Sequence, residues 1–496
     1  MCCPDGQNKR DPKSGDYGGY AMSQDMEQIY RQRLNRYVTA MGNGQPDQVP
    51  VRVFAAEFAA RHAGFTCQQV THDYSYAYEA TRKCAADYGW DATVGNMVYV
   101  WTGLTQALGL RYYGVPGVDV SPDTGFQYRE PPEGQAFMKP EEYDHLIDDP
   151  TDFLFNVWLP RVSTEVDVPG EKATYRSHVA LVKGGMAMWN YFVTLGQQGE
   201  ALRRECGTVS AISGIFKAPM DIIADKLRGY IGLTMDLMER PEKVLAACRA
   251  LMPHLLYVAL SGADPQHYVP IGFWMHRGCV PFITHEHFRE IYWPTLKPIV
   301  EHAWKAGHQM LFYAEGNWDA HLEAFAELPA GSIVYHVDRG DIFRAREVFG
   351  NRFCLSGGVP NYLLAYGSPD EVRETCRRII EGVADKGGYV MDASAIIQND
   401  AKPENVRAMT EAAREFGNYG KSPDDTLPPP LTAPPDFVPE PLPECGTRTS
   451  PGVCVPWNVK RRELDHMLGD EGILERVWNE VEGFAYAFIW HCLLSF

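Results

Sequence analysis

The sequence predicts a (β/α)8 barrel, and three observations carry that expectation. After residue 265, short apolar runs alternate with amphipathic stretches at intervals of about 20 to 35 residues, the pattern of right-handed βαβ units on a parallel sheet. No linker-like segment interrupts residues 26–420, a length that single α/β barrels reach. Several apolar runs end on an acid or a histidine, and barrels of this kind gather their active sites at the C-terminal ends of the strands.

In chain order, residues 1–25 are rich in Gly, Asp, Ser and Lys without apolar period and read as a flexible leader. The barrel of residues 26–420 shows its units most clearly late. HYVPIGFWM precedes HEHFREIYWPTLKPIVEHAWKAG, MLFYA precedes WDAHLEAFAEL, and SIVYHV precedes DIFRAREVFG. FCLSGGV then precedes SPDEVRETCRRIIEGVADKGG, and YVMDA precedes PENVRAMTEAAREFG. KSPDDTLPPPLTAPPDFVPEPLPE, residues 421–444, has too many prolines for a helix or a central strand and reads as an extended arm. Residues 445–496 form a tail in which an amphipathic helix is expected from about Glu463 to Val481.

Composition narrows the function. Forty-six basic residues against 64 acidic give a formal charge of −18, which repels nucleic acid and anionic membrane and points to small-molecule or protein partners. Twelve cysteines without a CxxC pair suit reduced thiols and a cytoplasmic location. No apolar stretch has the length of a membrane span. The apolar end FAYAFIWHCLLSF is too short and reads as a packed terminal helix.

Reading off the strand ends gives His276, Glu315, Asp338 and the segment Asp392–Ser394. Residues two apart share a strand face, so Tyr313 goes with Glu315, His336 with Asp338, and Asp392 with Ser394. Gly316 and Asn317 follow Glu315, where the chain turns close to whatever is bound. Arg277 holds either a substrate carboxylate or a neighbouring acid, and His276 reads equally as a core-edge histidine. HVDRGD also reads as a helix start with Asp338 or Asp341 as cap, Cys354 as a small buried side chain, and HEHF as a first helical turn and no metal site.

FREIYWPTLKPIVEHAWKAG, LFYAEGN, LSGGVP, GSPDEVRETCRRIIEGV, GGYVMDAS and ENVRAMTEAAREFGNYG, with QVPVRVF and KAPMDIIADKLRGYIGLTMDLMERPEKV upstream, resemble the uroporphyrinogen decarboxylase superfamily over about residues 26–420. That superfamily also contains zinc- and corrinoid-dependent methyltransferases. PVRVFAAEF lacks the family's Arg-rich substrate loop, and TVGNMVYVWTGLTQALG lacks the aspartate of its Phe-Ser-Asp segment, which argues against porphyrin decarboxylation. The methyltransferases' His-x-Cys and later Cys fall on Tyr313, Glu315 and Ser394, so the usual thiolate zinc site is missing.

The resemblance then leaves either no metal or zinc on a different set, His276 and Glu315 with Asp338 or His336, and implies cobalamin on a separate corrinoid protein, since no Asp-x-His-x-x-Gly segment occurs. The expected function is a substrate-side methyltransferase taking a methyl group from a small methoxy, methylthio or methylamino compound. Glu315, His276, Arg277 and Tyr313 are its expected catalytic residues, and Asn317, Asp392 and Ser394 its expected substrate contacts. Two alternatives stand beside it: a metal-free decarboxylase or lyase on a small carboxylic acid, and a non-catalytic barrel that binds a corrinoid protein or ligand. A homo-oligomer is compatible with each.

Overall fold

The structure, a computed structural model, describes residues 24–95, 102–132, 134–444 and 450–494. The expected leader therefore lies almost wholly outside the described residues. The strands are β1 (Arg52–Val53), β2 (Ala92–Thr93), β3 (Tyr113–Gly114), β4 (Gln127–Tyr128), β5 (Val209–Ser210) and β6 (Ile215–Phe216). They continue with β7 (Ile271–Met275), β8 (Met310–Ala314), β9 (Ile333–Val337), β10 (Cys354–Gly357) and β11 (Tyr389–Val390).

β1, β2 and β5 form one parallel sheet, and β6 to β11 form a second, six-stranded parallel sheet in sequence order. Two links join them. The run from Val209 to Phe216 supplies a strand to each, and Val51 and Ala55 bridge Met391 and Ile397 in parallel. β3 and β4 make a separate antiparallel hairpin, Tyr113 opposite Tyr128.

The five late strands fall where the sequence places them, each followed by helix. Short helix-start signals decide where the helices begin. Thr284 caps the turn at His285, Asp341 accepts from the amides of Phe343 and Arg344, and Ser368 with Glu371 closes a reciprocal cap on the helix Pro369–Val383. HEHF is therefore a first helical turn, and the capping role weighed for Asp338 or Asp341 belongs to Asp341. Alternation sorts the strand side chains into two faces. Phe312 and Tyr335 face helices, with rings 5.7 Å from Phe325 and 5.2 Å from Phe349.

The other face holds a row set by register, in which Trp274 pairs with Tyr313, Tyr313 with His336, and His336 with Ser356. The next residues on that face, one step past the strand ends, are His276, Glu315 and Asp338. The register thus delivers these three to one edge.

The proline-rich segment carries no helix or strand and is strapped to the surface. Lys305 donates to the carbonyls of Pro435 and Phe437, Glu440 N donates to Glu301, and Leu427 and Leu442 pack against the core. Beyond it the tail helix spans Glu471–Leu494, later than the expected Glu463–Val481. It starts after Asp470, whose carboxylate accepts from Gly472 N, and continues through the apolar end because that end is buried. Trp490 stacks on His254 with centroids 4.8 Å apart and donates to Thr151, and Tyr112 donates to the Cys492 carbonyl. The helix Pro241–Ser261 has the length and apolarity of a membrane span, but 56% of its apolar window is buried inside the molecule, so here it serves as a core helix.

Candidate functional site

At the C-terminal ends of the strands lies a pocket of about 640 Å³. β7, β8 and β9 bring His276, Arg277, Glu315 and Asp338 to its wall. The hairpin adds Tyr113 and Tyr128, and the turn after β6 adds Lys217, Asp225 and Lys226. This last group went unnoticed in the sequence, although KAPMDIIADKL carries its signal: Asp221 and Asp225 stand four apart, on one face of the helix that starts at Pro219. From Ile223 to Arg228 that helix widens into a π-helical turn, a distortion often found at functional sites, and both Asp225 and Lys226 line the pocket.

His276 stands between two acids. Its Nδ1 lies 2.8 Å from Asp225 Oδ2, and its Nε2 lies 3.3 Å from Glu315 Oε2. Asp225 also accepts from Lys217 Nζ at 3.2 Å and Arg277 Nε at 2.7 Å. Burial alone would raise its carboxyl, but Lys217, His276 and Arg277 together hold it well below the usual range. The pairing fixes the ring, because an ionised Asp225 requires the hydrogen on Nδ1 and turns Nε2 toward Glu315.

Asp221 clamps the loop after β7 from below. It accepts from Arg277 N at 2.8 Å and from Tyr292 Oη at 3.1 Å, and burial pushes its carboxyl up to about 6. Asp338 accepts from Gly316 N at 2.8 Å, and burial, with Glu315 nearby, raises its carboxyl. Gly316 has φ +91° and lies where an added Cβ would stand 2.8 Å from Cys279 Sγ, so the turn beside Glu315 suits glycine. Lys226 donates to Tyr113 Oη at 3.2 Å and sits 4.0 Å from the Tyr112 ring centre. Burial, reinforced by Lys217, lowers its pKa well below that of an ordinary lysine.

The remaining expected site residues lie deeper or to one side. His336 is fully buried, with Nδ1 2.8 Å from Arg52 Nη2 and Nε2 2.8 Å from the Ser394 carbonyl, and burial keeps it neutral. Asp392 is buried against Arg52 at 3.0 Å, and Tyr313 stacks on His336 at 4.1 Å. Ser394 is buried beside them, and Asn317 accepts from Asp319 N in a local turn. None of these five lines the pocket, so Asn317, Asp392 and Ser394, the expected substrate contacts, stand outside its wall, which includes Asn361, Ile396 and Gln398.

The expected zinc set does not come together. His336 spends both ring nitrogens on Arg52 and Ser394, and Asp338 is tied to Gly316. Among the described residues no group of three or more His, Cys, Asp or Glu side chains is arranged to hold a metal ion.

Residues 197–416, which supply His276, Arg277, Glu315, Asp338 and the Lys217–Asp225–Lys226 cluster, match the family model for uroporphyrinogen decarboxylase. This part of the chain is similar to the uroporphyrinogen decarboxylase family. A stretch of 102 residues is 36% identical to the uroporphyrinogen decarboxylase of Methylococcus capsulatus (strain Bath), covering 20% of this chain and 27% of that protein. The chain thus spans about a quarter of that relative's length. A methyltransferase from Methanosarcina mazei has a similar structure, with TM-score 0.51 and 16% identity over 77% of this chain and 98% of that one. At that identity the likeness speaks to the fold alone.

Proposed function

We propose that this chain is the substrate-side methyltransferase of a corrinoid system, taking a methyl group from a small methoxy, methylthio or methylamino compound. The reading takes the framework to be an eight-stranded (β/α)8 barrel, which the two links between the sheets support when the run from β5 to β6 counts as one strand. The observation that carries it is His276 held by Asp225 with Nε2 turned toward Glu315, at the mouth of an aromatic-walled pocket.

A corrinoid carried by a partner would supply the nucleophile that accepts the methyl group. The chain's own residues do the rest. Tyr113, Phe126, Trp274 and Phe282 bury the donor's apolar part. A proton passes from the His276–Glu315 pair to the donor's heteroatom as the bond to carbon breaks, so that an alcohol, thiol or amine leaves. Asp225 stabilises the histidine through the transfer and keeps its orientation. A directly placed acid does here the work that the sequence assigns to zinc.

The test is to incubate the protein with reduced free cobalamin and a panel of methoxy, methylthio and methylamino compounds, following methylcobalamin by its absorbance and the demethylated product by chromatography. Transfer from at least one class is the expected result. No transfer from any class, with carbon dioxide released from small carboxylic acids, would establish the metal-free decarboxylase instead. That second reading draws on Lys217, Lys226 and Arg277 in the pocket wall and on the partial match to a decarboxylase.

A further inference from the structure

A second feature lies away from the pocket. The helix Tyr175–Ala201 exposes Val182, Met186, Trp189 and Val193, spaced four, three and four residues apart. The tail helix Glu471–Leu494 exposes Leu474, Val477, Val481 and Phe484, spaced three, four and three. Both spacings are those of a coiled-coil seam, in which the apolar side chains of one helix insert between those of another. The helices lie side by side, with Trp189 and Phe484 in edge contact at 5.8 Å, and the cleft between them, about 730 Å³, also takes in Phe192 and Tyr257.

We infer that this two-helix face is the docking site for a second copy of the same chain, paired through a two-fold axis into a four-helix bundle. Area is the first reason. Side chains this exposed offer on the order of 100 Å² each, so the two stripes with Phe192 and Tyr257 present roughly 1,000 Å². The largest apolar patch on an ordinary monomer is roughly 300–600 Å², whereas each partner in a stable interface buries about 800 Å². Self-complementarity is the second reason, since a two-fold axis lays one copy's Tyr175–Ala201 stripe on the other's tail-helix stripe, apolar seam on apolar seam. Charge is the third. Lys183 flanks the first stripe while Glu475, Arg476 and Glu480 flank the second with a net negative charge, so the pairing sets a lysine against an acidic flank on a chain of net charge −18 that repels itself elsewhere. No residue of either stripe lines the strand-end pocket, which stays open in the dimer.

Sedimentation equilibrium of the full chain at tens of micromolar tests this. The wild type is expected at twice the chain mass. Met186→Glu combined with Val481→Glu is expected to weaken self-association at least ~100-fold with an unchanged circular dichroism spectrum. Val477→Glu, at a position 49% exposed, guards against misfolding of the double variant and is expected to weaken association at least ~10-fold. A monomeric wild type, or a dimer that Val477→Glu leaves intact, overturns the inference and hands the face to another partner.

Discussion

Two constellations of the same residue types lie one above the other on the inner face of the sheet. The upper one, His276 with Asp225, Glu315 and Arg277, faces the pocket. The lower one, His336 with Arg52, Asp392 and Tyr313, is sealed. In the upper set Glu315 keeps a third of its side chain in solvent and its Oε2 lies 3.3 Å from His276 Nε2. In the lower set each nitrogen of His336 has a fixed partner, and no proton reaches water. Depth therefore separates chemistry from architecture where residue type does not.

The sharpest way to break this comparison is to disarm each set in turn. His276→Ala is expected to lower turnover of any donor that passes the methyl-transfer assay by about 1,000-fold, the range of a lost general acid, while leaving the unfolding transition in place. Asp392→Ala is expected to do the reverse. It leaves Arg52 buried without its counter-ion, which costs about 3–5 kcal/mol in denaturant unfolding, and a loss below 1 kcal/mol would show that the lower set is not structural.

A third histidine extends the comparison to pH. His254, buried under Trp490 and 2.8 Å from Tyr486 Oη, is lowered by burial from 6.5 to about 4. Its folded-state pKa lies below its unfolded one, so the unfolded chain binds the extra proton first. The contribution is complete above pH 6.5 and is lost as pH falls toward 4, about 3 kcal/mol in all. Thermal unfolding of wild type and His254→Phe across that window should diverge, with the variant less sensitive to acid; parallel curves would count against it.

The smallest effect expected is at Tyr313. Its hydroxyl is buried without a hydrogen-bond partner, so Tyr313→Phe should keep stability within about 0.5 kcal/mol or raise it slightly. Turnover should also persist, because the ring sits below the pocket. A large loss of turnover would restore the catalytic role that the sequence suggests for it.

Much of this was legible beforehand. The alternating runs after residue 265 locate five strands, and strand-end reasoning points to His276, Glu315 and Asp338, which line the pocket, and to Asp392–Ser394, which do not, because period and register are local. Depth is not local. His336 and Asp338 stand two apart on one strand face, yet only the second reaches the pocket. Lys217, Asp225 and Lys226 escaped because β6 has two residues, too few for a periodic signal, and because a π-helical turn redirects the side chains that follow it. Tyr113 and Tyr128 arrive on a hairpin whose position depends on distant packing.

The strapped arm has a consequence for how the chain reaches its final state. At about 3.1 Å per residue, an extended segment from 421 to 444 spans roughly 75 Å, enough to carry the tail helix around the domain. The seat it reaches is assembled from Tyr112, Thr151 and His254, hundreds of residues upstream, so Trp490 can dock only after that framework exists. Closing so long a loop is slow. Until it closes, the seat formed by Tyr112, Thr151 and His254 is left without the ring that covers it.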